Sequence, residues 1–490
     1  MILINSTEEN QMDFKLFLGG EWVETRSGKI IDDMNPATDA VYARVHTAGR
    51  EEVDKALELA CAAQEEWENR KPSEREGVFL RAAEYLESNK DRFVEWLINE
   101  SGSSFLKAFG EVNECADIFR AAAGECWRID GGVMPADNGA QLSYYIKQPV
   151  GVVAGIGPFN YPLLLSLNKV ALAIAAGNAF VLKPASDTPL SGVIIAECFE
   201  AAELPKGILS VLPGPGGIVG DMLIEDPRVN MITFTGSTEI GQGIAVKAAR
   251  NFKRYALEMG GKNPIILLKD SNIDEAVNIA TFGAFFHQGQ ICMAGTRIIV
   301  EEDIYNEFCE KMKRKVASLK VGDPNDRDTI IGPLINEKQC DVLDQQIADA
   351  VSKGARLLTG GKHRGAFYEP SLLVDVTREM QVFYEESFGP LASVVRATNW
   401  EEALELCNDN SYGLSGALVT NDLRKALTIA PKIEAGMVHV NGATVMGSRR
   451  APFGGIKRSG VGRENSRFSI DEFTETKWIT IDYESPRYPI

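Results

Sequence analysis

The chain has 490 residues, of which 44% are hydrophobic, so it is too long for one compact core and long enough for two or three domains. Acidic residues outnumber Lys and Arg by 69 to 51, which gives a net charge of -18. Nucleic-acid phosphates and anionic membrane surfaces would repel this charge. We therefore expect neither a nucleic acid nor a membrane as a partner.

The eight cysteines are scattered singly, without a CxxC pair or a Cys/His spacing that indicates a metal site. This usage is typical of free thiols in a reducing compartment. The first residues lack the basic and apolar segments of a signal peptide, and polar residues interrupt the most apolar region, residues 151–182. We expect a cytoplasmic protein without a membrane helix or a bound metal.

Apolar residues recur at spacings of three and four over residues 50–69 and again over 73–100, which predicts two surface helices. Residues 141–147 alternate in polarity, which predicts a half-exposed edge strand. Short apolar runs then alternate with helical patterns, one of which begins with Thr188 as N-cap and Pro189 as first helical residue. Alternating strands and helices favour a parallel, doubly wound sheet.

A second series of strands and helices starts near Asn263 and continues to about residue 450. The tail alternates again over residues 472–483, and a terminal ribbon of this kind is a natural oligomer contact. The predicted fold class is therefore α/β, with two doubly wound parallel-sheet domains and a small β-ribbon. The predicted bounds are 1–129 with 148–258 for the first domain, 259–450 for the second, and 130–147 with 471–490 for the ribbon.

Three segments of the first predicted domain are suited to a phosphate-bearing ligand, although each has an ordinary alternative. In FTGSTEIG, a strand ends at Gly236, and Ser237 or Thr238 caps a helix whose free N–H groups could hold a pyrophosphate. GPGGIVG, residues 214–220, matches the dinucleotide-binding glycine pattern poorly. Lys183 ends an apolar strand, where ligands of such sheets bind. A plain strand-to-helix turn and a solvated lysine remain the alternatives.

Two further residues are suited to catalysis. Glu258 stands just before two glycines in LEMGGKNP, where the backbone can turn sharply toward a neighbouring loop. Cys292 follows Gly289 and Gln290 in FFHQGQICMAG, and these flanks predict a loop that can present a sulfur to a ligand. A solvated glutamate and a buried, inert thiol are the ordinary alternatives.

Taken together, the motifs resemble the aldehyde dehydrogenase superfamily in order and spacing over nearly the whole chain. The motifs are GPFNYP, VLKPAS, FTGS, LEMGGKNP, GQIC, EESFGP and APFGGIKRSGVGRE. The resemblance implies that the first domain binds a dinucleotide and that the second is catalytic. It also implies the habit of the family, a homodimer or homotetramer.

The resemblance implies a role for each catalytic residue. Cys292 matches the nucleophile, which attacks the aldehyde carbon and carries a thioester after hydride transfer. Asn160 matches an amide that stabilises the oxyanion together with the backbone N–H of Cys292. Glu258 matches the general base that activates the hydrolytic water. Coenzyme A-dependent branches typically lack this glutamate, so we expect a carboxylic acid product.

The resemblance also implies which residues bind the cofactor. Lys183 matches the lysine on the adenosine ribose, Glu386 and Phe388 match the pair that holds the nicotinamide ribose and ring, and Gly216, Gly236 and Ser237 would lie at the pyrophosphate. Many NAD-preferring relatives carry glutamate where this chain has Ser186. Because a carboxylate there would repel a 2'-phosphate, the serine predicts that NADP is accepted alongside NAD.

The predicted substrate pocket is apolar and partly aromatic. Asn168 belongs to the predicted pocket as well. Relatives that oxidise succinate semialdehyde carry an arginine at its place and often a cysteine at the place of Ala294. The sequence looks most like the benzaldehyde and vanillin dehydrogenase branch, and an apolar wall suits a flat aromatic aldehyde. The residues of this wall are Tyr161, Leu164, Leu165, Met293 and Phe453.

Three alternatives stay open at this point. The first two are other substrates, succinate semialdehyde and a short aliphatic aldehyde. The leucines of the wall could equally belong to an ordinary core. A protein that keeps the fold without turnover is the third, and the intact set of Asn160, Glu258 and Cys292 speaks against it.

Overall fold

The structure is a computed structural model that describes residues 12–137, 139–485 and 488. The described residues form 23 strands and 15 α-helices. The strands are β1 (Met12–Phe14), β2 (Leu16–Leu18), β3 (Glu21–Val23), β4 (Ile30–Asn35), β5 (Ala40–His46), β6 (Gly132–Met134), β7 (Gln141–Pro149), β8 (Val152–Ile156), β9 (Ala179–Lys183), β10 (Leu209–Val211), β11 (Met231–Gly236), β12 (Arg254–Met259), β13 (Pro264–Leu267), β14 (Arg297–Glu301), β15 (Arg356–Thr359), β16 (His363–Arg364), β17 (Phe367–Tyr368), β18 (Ser371–Val374), β19 (Leu391–Ala397), β20 (Ser415–Val419), β21 (Met437–Val440), β22 (Gly460–Val461) and β23 (Thr474–Asp482).

The helices connect these strands and cover the faces of the sheets. They are α1 (Arg50–Glu68), α2 (Pro72–Ser88), α3 (Lys90–Ser101), α4 (Phe105–Glu125), α5 (Pro162–Ala175), α6 (Leu190–Ala201), α7 (Asp221–Glu225), α8 (Thr238–Arg250), α9 (Ile273–Phe285), α10 (Glu302–Ala317), α11 (Lys338–Ser352), α12 (Gln381–Tyr384), α13 (Trp400–Asn408), α14 (Leu423–Ile429) and α15 (Ser466–Glu472). None of the helices in the described part of the chain combines the length and apolarity that a bilayer crossing requires.

Two large sheets organise the molecule. The first has the strand order β22-β12-β11-β8-β9-β10-β2-β3, and its five strands from β12 to β10 run parallel. The second has the order β15-β18-β19-β14-β13-β20-β21 and is parallel except for β15 at its edge. The expectation of two parallel, helix-covered sheets is confirmed.

Side-chain alternation explains why both faces of the second sheet are covered. Successive residues of a strand point to opposite faces, and Ile265 and Ile266 accordingly enter two different apolar clusters. Ile298 and Ile299 divide in the same way on β14. A strand that is buried on both sides has a continuous apolar sequence, as in residues 264–268 and 298–300 of this second series.

The predicted ribbon is also present. β23 pairs antiparallel with β7 along nine residues, and β6 pairs with the other edge of β7. Trp478 and Tyr483 are exposed on or next to β23, and Val133 is exposed on β6. Part of the predicted ribbon, Asn138 and residues 486–487 and 489–490, lies outside the described residues.

Two sequence-based expectations about helices are wrong. The pattern over residues 73–100 corresponds to two helices, because the backbone leaves the helical conformation at Asn89, where φ is -112° and ψ is 14°. Thr188 does not cap the following helix, which begins at Leu190, and its hydroxyl has no hydrogen-bond partner among the described residues. Instead, the carboxylate of Glu100 accepts the N–H of Leu190. A cap that is supplied from 90 residues away leaves no local sequence signal.

Candidate active site

The loop that carries Cys292 starts with an unusual turn. After α9, His287, Gln288 and Gly289 have φ values of 51°, 53° and 69°, all in the left-handed region. A side chain at Gly289 would collide with the carbonyl of Gly389, so no other residue fits this position. Strained backbone of this kind persists only where surrounding contacts hold it.

Side chains from distant elements hold this turn in place. The amide of Gln288 donates to the carbonyls of Gly102 and Pro333, at 3.1 and 2.9 Å. The imidazole of His287 donates from Nε2 to the carbonyl of Asn160, at 2.8 Å. Sequence reasoning identified neither contact, because both join segments that are far apart in the chain.

Asn263 fixes the position of Cys292. Its Nδ2 donates to the carbonyls of Cys292 and Ala294, at 2.8 and 3.1 Å, and its Oδ1 accepts the N–H of Ser415, at 2.9 Å. Asn263 directly precedes β13, so the loop is tied to the second sheet. The GGKNP motif contained the signal, but its sequence alone did not show the partner.

Asn160 lies beside Cys292 on the wall of one cavity. Its Nδ2 donates to the carbonyl of Gln290, at 2.9 Å. An amide nitrogen has two N–H donors, so a second one is left for a ligand. Because His287 holds the backbone of Asn160 and Gln290 holds its side chain, both contacts orient this amide relative to Cys292.

Glu258 is the penultimate residue of β12 and is 3% exposed. Neither of its carboxylate oxygens has a hydrogen-bond partner among the described residues. Burial raises the pKa of Glu258 well above its usual value, and Glu464 raises it further, while Lys169 and Arg463 oppose the shift. An unpaired, buried carboxyl group with a raised pKa is typical of an acid–base catalyst.

Lys169 and Glu464 form a buried ion pair behind this site. Asn168, which we predicted to line the substrate pocket, is 4% exposed and donates from Nδ2 to Glu464, at 3.2 Å. Its amide is therefore already engaged within the protein. Sequence reasoning did not identify the Lys169–Glu464 pair, because 295 residues separate its members.

The surroundings of Cys292 disfavour its thiolate form. Burial raises its pKa above the ordinary value, and the carboxylates of Glu386 and Glu258 raise it further. The N–H groups of Met293 and of Cys292 itself act in the opposite direction. Because a thiolate is far more nucleophilic than a thiol, a base would have to take this proton before the predicted nucleophile could react.

A cavity of about 750 Å³ extends from Cys292 along the carboxyl ends of the first sheet. Every residue that we predicted to bind the cofactor lines it: Lys183, Ser186, Gly216, Gly236, Ser237, Glu386 and Phe388. Gly216 and its neighbour Gly217 face open space. The structure therefore brings this predicted set together in one place.

The residues at the two ends of the cavity fit the parts of a dinucleotide. Lys183 is 3% exposed, and its ammonium donates to the carbonyl of Pro184, at 2.7 Å, and to the hydroxyl of Ser186, at 3.4 Å. Burial lowers the pKa of Lys183 to about 8, which Asp187 partly opposes. Ser237 accepts the N–H of Ile240 and caps α8, as predicted, so the first N–H groups of this helix are available for a phosphate.

Glu386 lies against Gly260, where any side chain would occupy the place of the carboxylate. The N–H of Gly261 donates to its Oε1, at 3.1 Å. Burial raises the pKa of Glu386 to about 7, while this N–H and Lys262 oppose the shift. Phe388 has a φ of 46° and packs edge-on against Phe159, with ring centroids 5.6 Å apart.

The residues of the predicted substrate wall are not among those that line the cavity of Cys292 in the described part of the chain. Tyr161, Leu164 and Leu165 lie at the start of α5, where the two leucines belong to the apolar core. Leu164 and Leu165 are 5% and 9% exposed on this helix. The ring of Tyr161 packs edge-on against His287, with centroids 5.4 Å apart, and the ammonium of Lys107 lies over its face. Met293 and Phe453 are partly exposed.

Known proteins resemble this chain over almost its full length. A sequence model described as "Aldehyde dehydrogenase family" matches residues 22–479. A vanillin dehydrogenase of Corynebacterium glutamicum is 41% identical over 95% of this chain and 97% of its own, and a benzaldehyde dehydrogenase of Bacillus subtilis is 39% identical over 97% and 98%. The crystal structure of a salicylaldehyde dehydrogenase from Pseudomonas putida G7, complexed with salicylaldehyde, is 37% identical and superposes with a TM-score of 0.96 over 98% of this chain and 100% of that one.

The extent of these matches decides the identity of the chain, because the family match covers most of its length and the relatives exceed 30% identity. The site agrees with this assignment, because Asn160, Cys292 and the residues that the motifs predict for the cofactor all line one cavity. The protein belongs to the aldehyde dehydrogenase family and is an NAD(P)-dependent oxidoreductase.

Proposed function

We propose that the enzyme oxidises an aromatic aldehyde to its carboxylic acid with NADP or NAD, through a covalent bond to Cys292. The observation that carries the proposal is the shared cavity that Cys292 and Asn160 line together with the cofactor residues Lys183 and Glu386. A nucleophile, an oxyanion donor and a dinucleotide site within one cavity suit oxidation of a carbonyl carbon.

In the first step, the sulfur of Cys292 bonds to the aldehyde carbon and its proton passes to a base. Glu258 is the nearby carboxyl group with free oxygens. The carbonyl oxygen becomes an oxyanion, which accepts hydrogen bonds from the free amide N–H of Asn160 and from the backbone N–H of Cys292. Donors that are already oriented toward a developing charge lower the barrier most effectively.

In the second step, the carbon loses a hydride and the acyl group stays on Cys292 as a thioester. A nicotinamide held beside Glu386 and Phe388 would supply the hydride acceptor. Glu258 releases to solvent the proton that it took from Cys292 and then takes one from water. The water oxygen bonds to the thioester carbon, the carbon–sulfur bond breaks, and Glu258 returns its proton to the sulfur, so the acid leaves as the thiol is restored. The raised pKa of Glu258 suits this role, because a carboxylate with an ordinary pKa is a weaker base.

The substrate assignment is supported by the apolar wall and by the names of the relatives. Tyr161 directly follows Asn160, which lines the cavity with Cys292, and Leu164 and Leu165 lie in the next turn of the same segment, so the composition of this segment suits a flat ring. The relatives are named for vanillin, benzaldehyde and salicylaldehyde. Asn168, bound to Glu464, does not supply the cation that a succinate semialdehyde would require at that position.

We expect the enzyme to prefer benzaldehyde and vanillin over succinate semialdehyde and acetaldehyde by roughly a hundredfold in kcat/KM, because an apolar wall favours a ring and leaves a remote carboxylate unpaired. Steady-state rates for the four aldehydes with each cofactor measure this preference. A higher kcat/KM for succinate semialdehyde than for benzaldehyde would contradict the aromatic assignment.

We expect Glu258→Gln to separate acylation from hydrolysis. The first turnover should still give up to one reduced cofactor per active site, whereas the steady rate falls about 10²- to 10⁴-fold, because the water loses its base. Stopped-flow absorbance of the reduced cofactor shows both phases. Glu310→Gln, on the exposed surface of α10, is the control and should match the wild type. An unchanged steady rate in Glu258→Gln would exclude Glu258 as the base.

We expect Ser186→Glu to lower kcat/KM for NADP at least about tenfold and to leave NAD within a few-fold, because the new carboxylate would repel the 2'-phosphate. The neutral isostere Ser186→Gln controls for side-chain size. Its NADP rate should stay well above that of Ser186→Glu. Equal losses in both variants would assign the effect to size, and a wild-type ratio of NAD to NADP efficiency above about 100 would contradict NADP use.

We propose that the enzyme is a homodimer or homotetramer joined through the ribbon, and that it works in the reducing cytoplasm, where its eight free cysteines stay reduced. β23 is an edge strand with Trp478 and Ile481 exposed. Light scattering should give two or four times 53.6 kDa. The double variant Trp478→Asp, Ile481→Asp should give a smaller mass, and the control Val351→Asp should not. A monomeric wild type would contradict the proposal.

A further inference from the structure

The cavity that Cys292 lines also reaches into the groove between α7 and α8. Ser237 caps α8, and Lys247 lies about 15 Å further along the helix, at 1.5 Å per residue. Residues of both helices line this groove: Asp221 and Ile224 of α7, with Ile240, Gly243, Ile244 and Lys247 of α8. The cavity therefore extends well past the predicted pyrophosphate residues at the start of α8.

The walls of this groove suit a flat group with apolar faces. Ile224 and Ile244, one on each helix, are both 3% exposed. A side chain at Gly217 or at Gly243 would project into open space, so the two glycines keep the groove wide. An aromatic base has apolar faces and a polar edge, and it fits a surface of this kind.

An ion pair lies where the two helices meet the cavity. The ammonium of Lys247 is 2.7 Å from a carboxylate oxygen of Asp221 and 3.6 Å from one of Glu225. Asp221 lines the cavity, and Glu225 is not among the described residues that do. The side chains of Lys247 and Asp221 are 30% and 44% exposed. An exposed pair of this kind contributes little to stability, so both side chains are free to turn toward a ligand.

The proposed cofactor site determines which base would enter the groove. It places the nicotinamide beside Glu386 and Phe388, so the adenine half of the dinucleotide is left for α7 and α8. Adenine carries an exocyclic amine, which donates, next to a ring nitrogen, which accepts. A carboxylate and an ammonium that lie side by side match these two groups.

We propose that Asp221 and Lys247 determine the specificity of the enzyme for the adenine base of its cofactor. The carboxylate of Asp221 accepts from the exocyclic amine, and the ammonium of Lys247 donates to the neighbouring ring nitrogen. A base with a carbonyl in place of the amine would turn an acceptor toward the carboxylate and bind less tightly. The inference rests on the proposed cofactor site and goes beyond the proposed function, because the base takes no part in the oxidation.

The test compares NADH with reduced nicotinamide hypoxanthine dinucleotide, in which a carbonyl oxygen replaces the exocyclic amine. Titration of the enzyme without an aldehyde, followed by the fluorescence of the reduced nicotinamide, gives a Kd for each. The wild type should bind NADH about fivefold or more tightly than the analogue. Asp221→Asn should lower this ratio about threefold, because an amide can donate to the carbonyl and a carboxylate cannot. Glu225→Gln, which changes the other acid beside Lys247, is the matched control and should keep the ratio.

A wild-type ratio below about two, or equal ratios in the wild type and Asp221→Asn, would overturn the proposal. If Asp221→Asn does not fold, Lys247→Met decides: it should weaken NADH binding several-fold, and an unchanged Kd overturns the proposal as well. Failure of the proposed function would look different, because the titration contains no aldehyde. An enzyme that shows the expected ratios and oxidises benzaldehyde poorly would contradict the substrate assignment alone.

Discussion

The passage of the chain from the first sheet to the second through Gly260 and Gly261 is the constraint on which the site depends. β12 ends at Met259 and β13 begins at Pro264, so this short stretch joins the two large sheets. The carboxylate of Glu386 lies in the space that a side chain at Gly260 would fill, and the N–H of Gly261 binds it. Glu258, the predicted base, lies just before this stretch, and Asn263, which binds the carbonyl of Cys292, lies just after it. The same segment therefore positions Glu258, Glu386 and Cys292.

Burial gives the site its electrostatic character. The carboxyl groups of Glu258 and Glu386 and the thiol of Cys292 all have a raised pKa, and in each case burial is the main cause. Burial therefore disfavours the charged form of all three groups. A low-dielectric site strengthens the interaction of fixed donors with a developing oxyanion, and it makes deprotonation of the nucleophile a step that the protein has to assist. We expect activity to rise with pH as these acids ionise.

The sequence predicted the elements whose signal is local. Continuous apolar runs identified the buried strands of both sheets, and alternation identified the ribbon strands. Motif order identified the residues that line the cavity, among them Lys183 and Glu386. The sequence did not reveal the end of α2 at Asn89. Both α2 and α3 bury one face, so the apolar spacing continues across this residue.

Contacts between distant residues were beyond prediction from a single sequence. The hydrogen bond from His287 to Asn160, that from Asn263 to Cys292 and the cap that Glu100 provides all join different elements. Each of these contacts depends on which helix or loop the fold brings close to the residue, and the residue type alone does not indicate its partner. The engagement of Asn168 by Glu464 has the same origin.

The central claim is that the sulfur of Cys292 is acylated by the substrate during turnover. Intact-mass and peptide mass spectrometry of enzyme quenched in acid, during oxidation of benzaldehyde, tests it most directly. The account predicts a benzoyl group on the peptide that contains Cys292, and its disappearance when the substrate is exhausted. Full-rate formation of benzoate without any acyl group on that peptide would contradict it.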